Sequence, residues 1–272
     1  DPWCPKNSGD RYGRMRTLKN ALANSVNTVS ARIMDMVGPR PVIDLVRKTG
    51  VTSRLPNVPS IALGTPDISL FEMVGAYGTF VNKGIYIEPI IITRIEDKNG
   101  MPLFEVVPNT TDVISQEAAY VTVNLLKGVT KYGSGGRLRH AGLEKTNYVY
   151  ENVVTGYPYI FDNPIAGKTG TTQNQSDGWF IGMVPNLVSG VWVGGEDRSI
   201  HFEEIAFGQG ATMALPIWAI YMKRAYEIPE LEISVDDFEE PEKLTINIDC
   251  ENMLSPKEIK PREKTNLKEL GF

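Results

Sequence analysis

Residues 165–172 read Ile-Ala-Gly-Lys-Thr-Gly-Thr-Thr, and Trp179-Phe180-Ile181-Gly182 opens a second apolar run soon after. Lys168, the hydroxyls of Thr169 and Thr171, and the side-chain-free Gly170 make a cationic strip suited to gripping a carboxylate. On an extended strand the side chains alternate, which puts Lys168 and Gly170 on one side and Thr169 and Thr171 on the other. The glycine lets a second backbone or a ligand approach closely. Far upstream, Asn24-Ser25-Val26-Asn27 sets a serine and an asparagine two residues apart.

A second Lys-Thr-Gly stands at 48–50, after Val42, Ile43, Leu45 and Val46. That copy reads as the end of a helix, with Gly50 as the terminating glycine. A phosphate-binding loop is the other competitor, because Gly167-Lys168-Thr169 could close one. Such a loop needs a glycine where Asp162 stands, and Asn163-Pro164 interrupts it. An acidic side chain in a phosphate cradle is electrostatically wrong.

The elements that must carry these residues follow from periodicity and punctuation. A helix-prone stretch covers 14–23, and a second helix runs from Thr28 to Val37, stopped by Gly38-Pro39. Ser25 and Asn27 then fall in the connection between two helices, where they serve equally as helix-start residues. A third helix lies within 65–82. Strands at 85–95 and 103–107 flank Asp97-Lys98-Asn99-Gly100, a strong hairpin signal. Ser115 caps a helix through Leu126, 131–139 is a glycine-rich flexible loop, and 143–162 is irregular. The strand at 165–172 is followed by a hairpin, 178–184 with 187–193, and by a closing helix from 211 to 226. Residues 229–272 are acidic, then basic, and read as a charged tail outside the core, partly disordered. The division is therefore 1–228 as the body and 229–272 as the tail.

Composition bounds the function. The chain has 272 residues, 42% hydrophobic and 22% charged, enough to bury a sizeable core. A formal net charge of −5 argues against nucleic acid as a partner. No apolar run reaches the ~18 residues that span a bilayer. Two histidines, His140 and His201, argue against a zinc site and leave little for a Ser-His-Asp triad. If the chain does acyl chemistry, lysine is the more fitting base. Two cysteines, Cys4 and Cys250, leave their pairing and the redox compartment open. No cofactor and no metal is implied, and nothing sets the oligomeric state. Asp1-Pro2-Trp3-Cys4 lacks a signal pattern and reads as a cut inside a longer protein.

Taken together, the chain resembles the transpeptidase domain of class A (bifunctional) penicillin-binding proteins. Ala21-Leu22-Ala23-Asn24-Ser25-Val26-Asn27-Thr28, Pro59 to Gly64, Gly75 to Phe80, Ala166 to Thr172 with Asp177 to Phe180, Trp192-Val193-Gly194 and Pro216-Ile217-Trp218 occur in family order, over roughly 12–226. The resemblance implies an α/β penicillin-binding protein/serine β-lactamase-like fold, an antiparallel sheet with flanking helices, incomplete on its N-terminal side. Ser25 and Asn27 are similar to the family's Ser-x-Asn motif, and Lys168-Thr169-Gly170 to its Lys-Thr-Gly motif. By that likeness Ser25 relays a proton to the leaving amine, Asn27 holds the donor peptide, and Lys168 attracts its carboxylate. Thr169, Gly170, Thr171 and Thr172 form the binding strip, with the Thr171 N–H in the oxyanion hole.

One part of the pattern is missing: no serine of this chain has a lysine three residues on. Thr265-x-x-Lys268 has the spacing but lies in the charged tail. The expectation is a peptidoglycan DD-transpeptidase fragment without its nucleophile, inactive alone. Its implied partners are D-Ala-D-Ala stem peptides, β-lactams and an upstream glycosyltransferase domain, on the outer face of an anchoring membrane. A β-lactam-hydrolysing or sensing relative and a non-catalytic cell-wall interaction module are the alternatives.

Overall fold

The computed structural model describes residues 3–10, 12–13, 16–139 and 159–248. Helix α1 (Leu18–Ala23) begins at Thr17, whose hydroxyl accepts from the Asn20 N–H at 3.1 Å. After a three-residue connection, α2 (Asn27–Val37) runs to Gly38, and α3 (Pro39–Lys48) follows at once. Helix α4 (Leu70–Val81) starts with a capping box, in which Ser69 and Glu72 each satisfy the other's backbone. Glu72 also accepts from the backbone and hydroxyls of Thr52 and Ser53, at 2.6–2.9 Å. Those donors hold its carboxyl far below the usual range.

The run at 85–95 is not one strand. Strand β1 (Ile85–Ile87) pairs with β4 (Thr110–Asp112), whereas β2 (Arg94–Glu96) pairs with β3 (Pro102–Glu105). Pro89 lies in the gap, and with no N–H to donate it cannot extend a ladder. The Asn99-Gly100 hairpin forms as expected, with the Asp97 carboxylate accepting from the N–H groups of Asn99 and Met101.

Helix α5 (Gln116–Lys131) is a turn longer than the capping signal alone indicated. It lies along β5 (Ala166–Thr171), the first strand of a three-stranded antiparallel sheet in the order β5-β6-β7. Strands β6 (Asp177–Val184) and β7 (Leu187–Gly194) turn over Pro185-Asn186 as expected. Two clusters sandwich this sheet. Val123, Leu126 and Val129 of α5 pack with Ala166, Met183 and Phe238. Phe180 meets Trp218 edge to face at 5.1 Å within the other, which includes Ile165, Leu215 and Met222.

The single closing helix expected at 211–226 is broken. After the short α6 (Ile205–Gly208), α7 (Gly210–Met213) ends at Ala214 and α8 (Leu215–Tyr226) begins anew. Pro216 supplies no N–H for the Thr212 carbonyl and is accepted only in the first turn of a helix.

Residues 229–248 also depart from expectation. Phe238 is buried in the α5 cluster, Lys127 pairs with Asp237, Lys83 pairs with Glu239, and Thr245 donates to Glu117. The reading of a tail outside the core gave weight to charge, yet one aromatic anchor and its flanking carboxylates strap this stretch to the body. Residues 249–272, with the basic end and Cys250, lie outside the described residues, as do His140 and most of 143–162.

Candidate active site

The turn between α1 and α2 presents Ser25 in the left-handed region, at φ +52°. A non-glycine residue there costs on the order of 1 kcal/mol, and such strain concentrates at functional positions. Its N–H donates to the Leu22 carbonyl at 3.1 Å, which closes the turn, and the residue is exposed.

Strand β5 brings Lys168 to that hydroxyl across 143 residues of sequence. The Lys168 ammonium donates to Ser25 Oγ at 3.0 Å and to the Thr169 carbonyl at 2.8 Å. Lys168 keeps part of its surface, but protein surrounds the amine on most sides. Burial pushes its pKa down to about 8, since desolvation penalises the charged form. The amine is therefore mostly charged at neutral pH and close to losing its proton.

The alternation expected along β5 separates the partners. While Lys168 reaches Ser25, the Thr169 hydroxyl meets Ser134 Oγ at 2.6 Å, and Thr171 Oγ1 accepts the Gly210 N–H at 3.0 Å. Gly170 stands opposite Trp179, and a Cβ there would sit 3.0 Å from the Trp179 Cβ. That contact is tight enough for the sheet to favour glycine here, apart from any ligand. Thr172 is directed inward: its hydroxyl accepts the Asp177 N–H at 3.0 Å and lies 3.0 Å from Ser176 Oγ, which fixes the β5–β6 turn.

Asn27 is not brought to Lys168. Its amide donates to the Lys6 carbonyl at 2.8 Å, while Asn7 accepts the Thr28 N–H. Both bonds tie the N-terminal segment across the start of α2. A cavity of about 720 Å³ opens there, lined by Asn7, Tyr12, Arg16, Val26 and Val29 among others; Lys168 is not in its wall. His201 is exposed on the loop after β7, and no group of three metal-ligating side chains occurs among the described residues.

Sequence reasoning missed the loop at 132–137, whose glycines marked it only as flexible. In the structure it joins α1, α5, β5 and α7. Ser134 N–H donates to the Ala23 carbonyl at the end of α1, and Gly135 N–H to Val129 in α5. Arg137 donates to the Ala211 carbonyl and to Thr212 Oγ1 in α7. At Gly133 a Cβ would lie 2.2 Å from the Ala23 oxygen, so only glycine permits the approach. A hydroxyl between glycines, Gly133-Ser134-Gly135, was the available signal.

Lys168 thus stands beside the Ser25 hydroxyl on an edge strand of the antiparallel sheet, with Thr169 and Thr171 following on the same strand. The chain belongs to the family of the penicillin-binding protein transpeptidase domain, whose model matches residues 1–195. It is 32% identical over 258 residues to penicillin-binding protein 1A of Aquifex aeolicus, covering 93% of this chain and 31% of that protein. With penicillin-binding protein 1A of Clostridium novyi it is 34% identical over 245 residues, covering 86% and 25%. The chain thus spans less than a third of the length of these relatives. A crystal structure of penicillin-binding protein 1A from Haemophilus influenzae superposes with a TM-score of 0.67 at 26% identity, over 82% of this chain and 36% of the other. PonA1 of Mycobacterium tuberculosis, in complex with penicillin V, shares the fold at a TM-score of 0.69 and 23% identity, over 88% and 63%. Among the described residues no helix is long and apolar enough to cross a membrane.

Proposed function

We propose that this chain carries the Ser-x-Asn and Lys-Thr-Gly portion of a peptidoglycan DD-transpeptidase site. The observation that carries the reading is the 3.0 Å hydrogen bond from Lys168 to Ser25, two motif residues far apart in sequence. The nucleophile belongs to a Ser-x-x-Lys segment outside these 272 residues. Its hydroxyl attacks the carbonyl of the penultimate D-alanine, and an ester forms as the peptide C–N bond breaks. Ser25, beside Lys168, delivers the proton that the departing D-alanine amine requires. An acceptor amine then attacks the ester: the new C–N bond is the cross-link, the C–O bond to the serine breaks, and the amine's proton restores the serine hydroxyl. The hydroxyls of Thr169 and Thr171 hold the terminal carboxylate, favoured by the charge on Lys168, and the Thr171 N–H stabilises the oxyanion, a contribution typically worth about 10²–10³ in rate. Asn27 holds the donor peptide once its amide leaves the Lys6 carbonyl. The same site takes β-lactams, and the whole protein adds a glycosyltransferase domain and an anchor that place it on the outer face of the cytoplasmic membrane.

The chain as it stands is expected to form no covalent adduct with penicillin. A serine hydroxyl without a positioned base is a poor nucleophile near neutral pH. Ser25 faces a lysine that donates to it, and Lys168 is mostly protonated there. Intact-protein mass spectrometry after incubation with excess penicillin decides the matter. A stoichiometric mass increase mapped to any serine of 1–272 overturns the assignment of the nucleophile.

A further inference from the structure

The two threonines of the strip are backed differently, and the difference assigns a role to Ser134. Thr171 Oγ1 accepts from the Gly210 N–H, which can only donate. The Thr171 proton is consequently free to point away from the protein. Thr169 Oγ1 meets another hydroxyl, Ser134 Oγ at 2.6 Å, and either oxygen can be the donor of that bond. If Thr169 donates, its only proton is turned inward and its outer side offers lone pairs, which repel a carboxylate. If Ser134 donates, Thr169 presents a proton outward, as Thr171 does. A chain of hydroxyls ending on an anion polarises in the second sense, each bond strengthening the next.

We infer that Ser134 is a positioning residue, the donor that turns the Thr169 proton outward and matches it to Thr171 for two-pronged recognition of a carboxylate. This rests on the carboxylate reading of the strip under Proposed function. Ser134 is held for the task by its neighbours. Its N–H is fixed on Ala23, Gly133 allows that approach, and Arg137 ties the same loop to α7, two residues from Gly210. The backing groups of both threonines are thereby locked to one another through α7.

The test is a comparison of N-acetyl-D-alanyl-D-alanine with its C-terminal amide. Each is titrated into the chain while the backbone amide resonances of Thr169 and Thr171 are followed by NMR. Wild type is expected to bind the acid more tightly than the amide. Ser134→Ala is expected to lower acid affinity about fivefold, the scale of one net hydrogen bond, with amide affinity unchanged, and Ser134→Thr to restore the acid. A wild type that does not prefer the acid overturns the carboxylate reading, and this inference with it. A wild-type preference that Ser134→Ala retains overturns the role of Ser134 alone. Loss of acid and amide binding in equal measure also overturns it, because that is the signature of a packing defect. If Ser134→Ala does not fold, Ser134→Thr decides: an acid preference equal to wild type supports the role, and loss of that preference with amide binding intact overturns it.

Discussion

The same tripeptide occurs twice in this chain with opposite consequences. At 48–50 every bond is local: the Thr49 hydroxyl donates to the Val46 carbonyl at 2.7 Å, Gly50 sits at φ +80°, and Lys48 is exposed at the end of α3. At 168–170 two of the side-chain bonds are long-range, to Ser25 and to Ser134. Three identical residues finish a helix in one place and meet two distant hydroxyls in the other. What separates them is whether the backbone around them is extended and edged by other elements, which the three residues themselves do not encode.

The sharpest way to break this contrast is kinetic. In a longer chain that carries the Ser-x-x-Lys nucleophile, Lys168→Ala should slow acylation by labelled penicillin at least about 10²-fold, as loss of a transition-state charge contact does. Lys48→Ala should leave the rate within about twofold. Equal effects of the two substitutions would sink the assignment of the site.

A smaller effect tests long-range packing away from the site. Phe238→Ala should cost about 2 kcal/mol, below the range for a fully buried phenylalanine because the ring lies at the rim of its cluster. At this chain length that is a drop of roughly 5 °C in melting temperature, and an unchanged melting curve would restore the view of 229–248 as a tail. Gly50→Ala should cost about 1–2 kcal/mol without touching acylation. Its φ is unfavourable for alanine, and the new Cβ would lie 2.0 Å from the Tyr86 hydroxyl oxygen.

A further test is a slope. Lys168 titrates near pH 8 when folded and near its ordinary 10.5 when unfolded. Between those values the unfolded chain holds the extra proton, so this group makes stability rise with pH across the window from about 8 to 10.5. Denaturant titrations of wild type and Lys168→Met over that range should differ in slope in this direction; parallel curves would mean the amine is not desolvated.

Much of the scaffold was legible because it rests on local chemistry. The capping serine at 115, the glycine stop at 38, Asn99-Gly100 and the two-residue turn at 185–186 each act within a few residues. Where sequence reading failed, a competing local rule or a distant contact won. Pro89 ended a run of strand-forming residues, Pro216 split a helix whose apolar pattern was continuous, and Phe238 anchored a stretch whose charges suggested a free tail. Ser134 was passed over because its flanking glycines were read as slackness, whereas Gly133 is there to allow the close approach to Ala23.

The sequence by itself named the members of the proposed site, since Lys168, Thr169, Thr171 and Ser25 stand out by type, spacing and family resemblance. It also determined that β5 would be extended, because alternation along a strand is a local property. Only the tertiary structure decided which atoms meet: Lys168 with Ser25, Thr169 with Ser134, Thr171 with the start of α7, and Asn27 with Lys6 instead of the strip. Those pairings depend on how α1, the 132–137 loop and α7 settle around the edge of one sheet. That settlement is a sum of many weak apolar contacts, and no short stretch of sequence holds it.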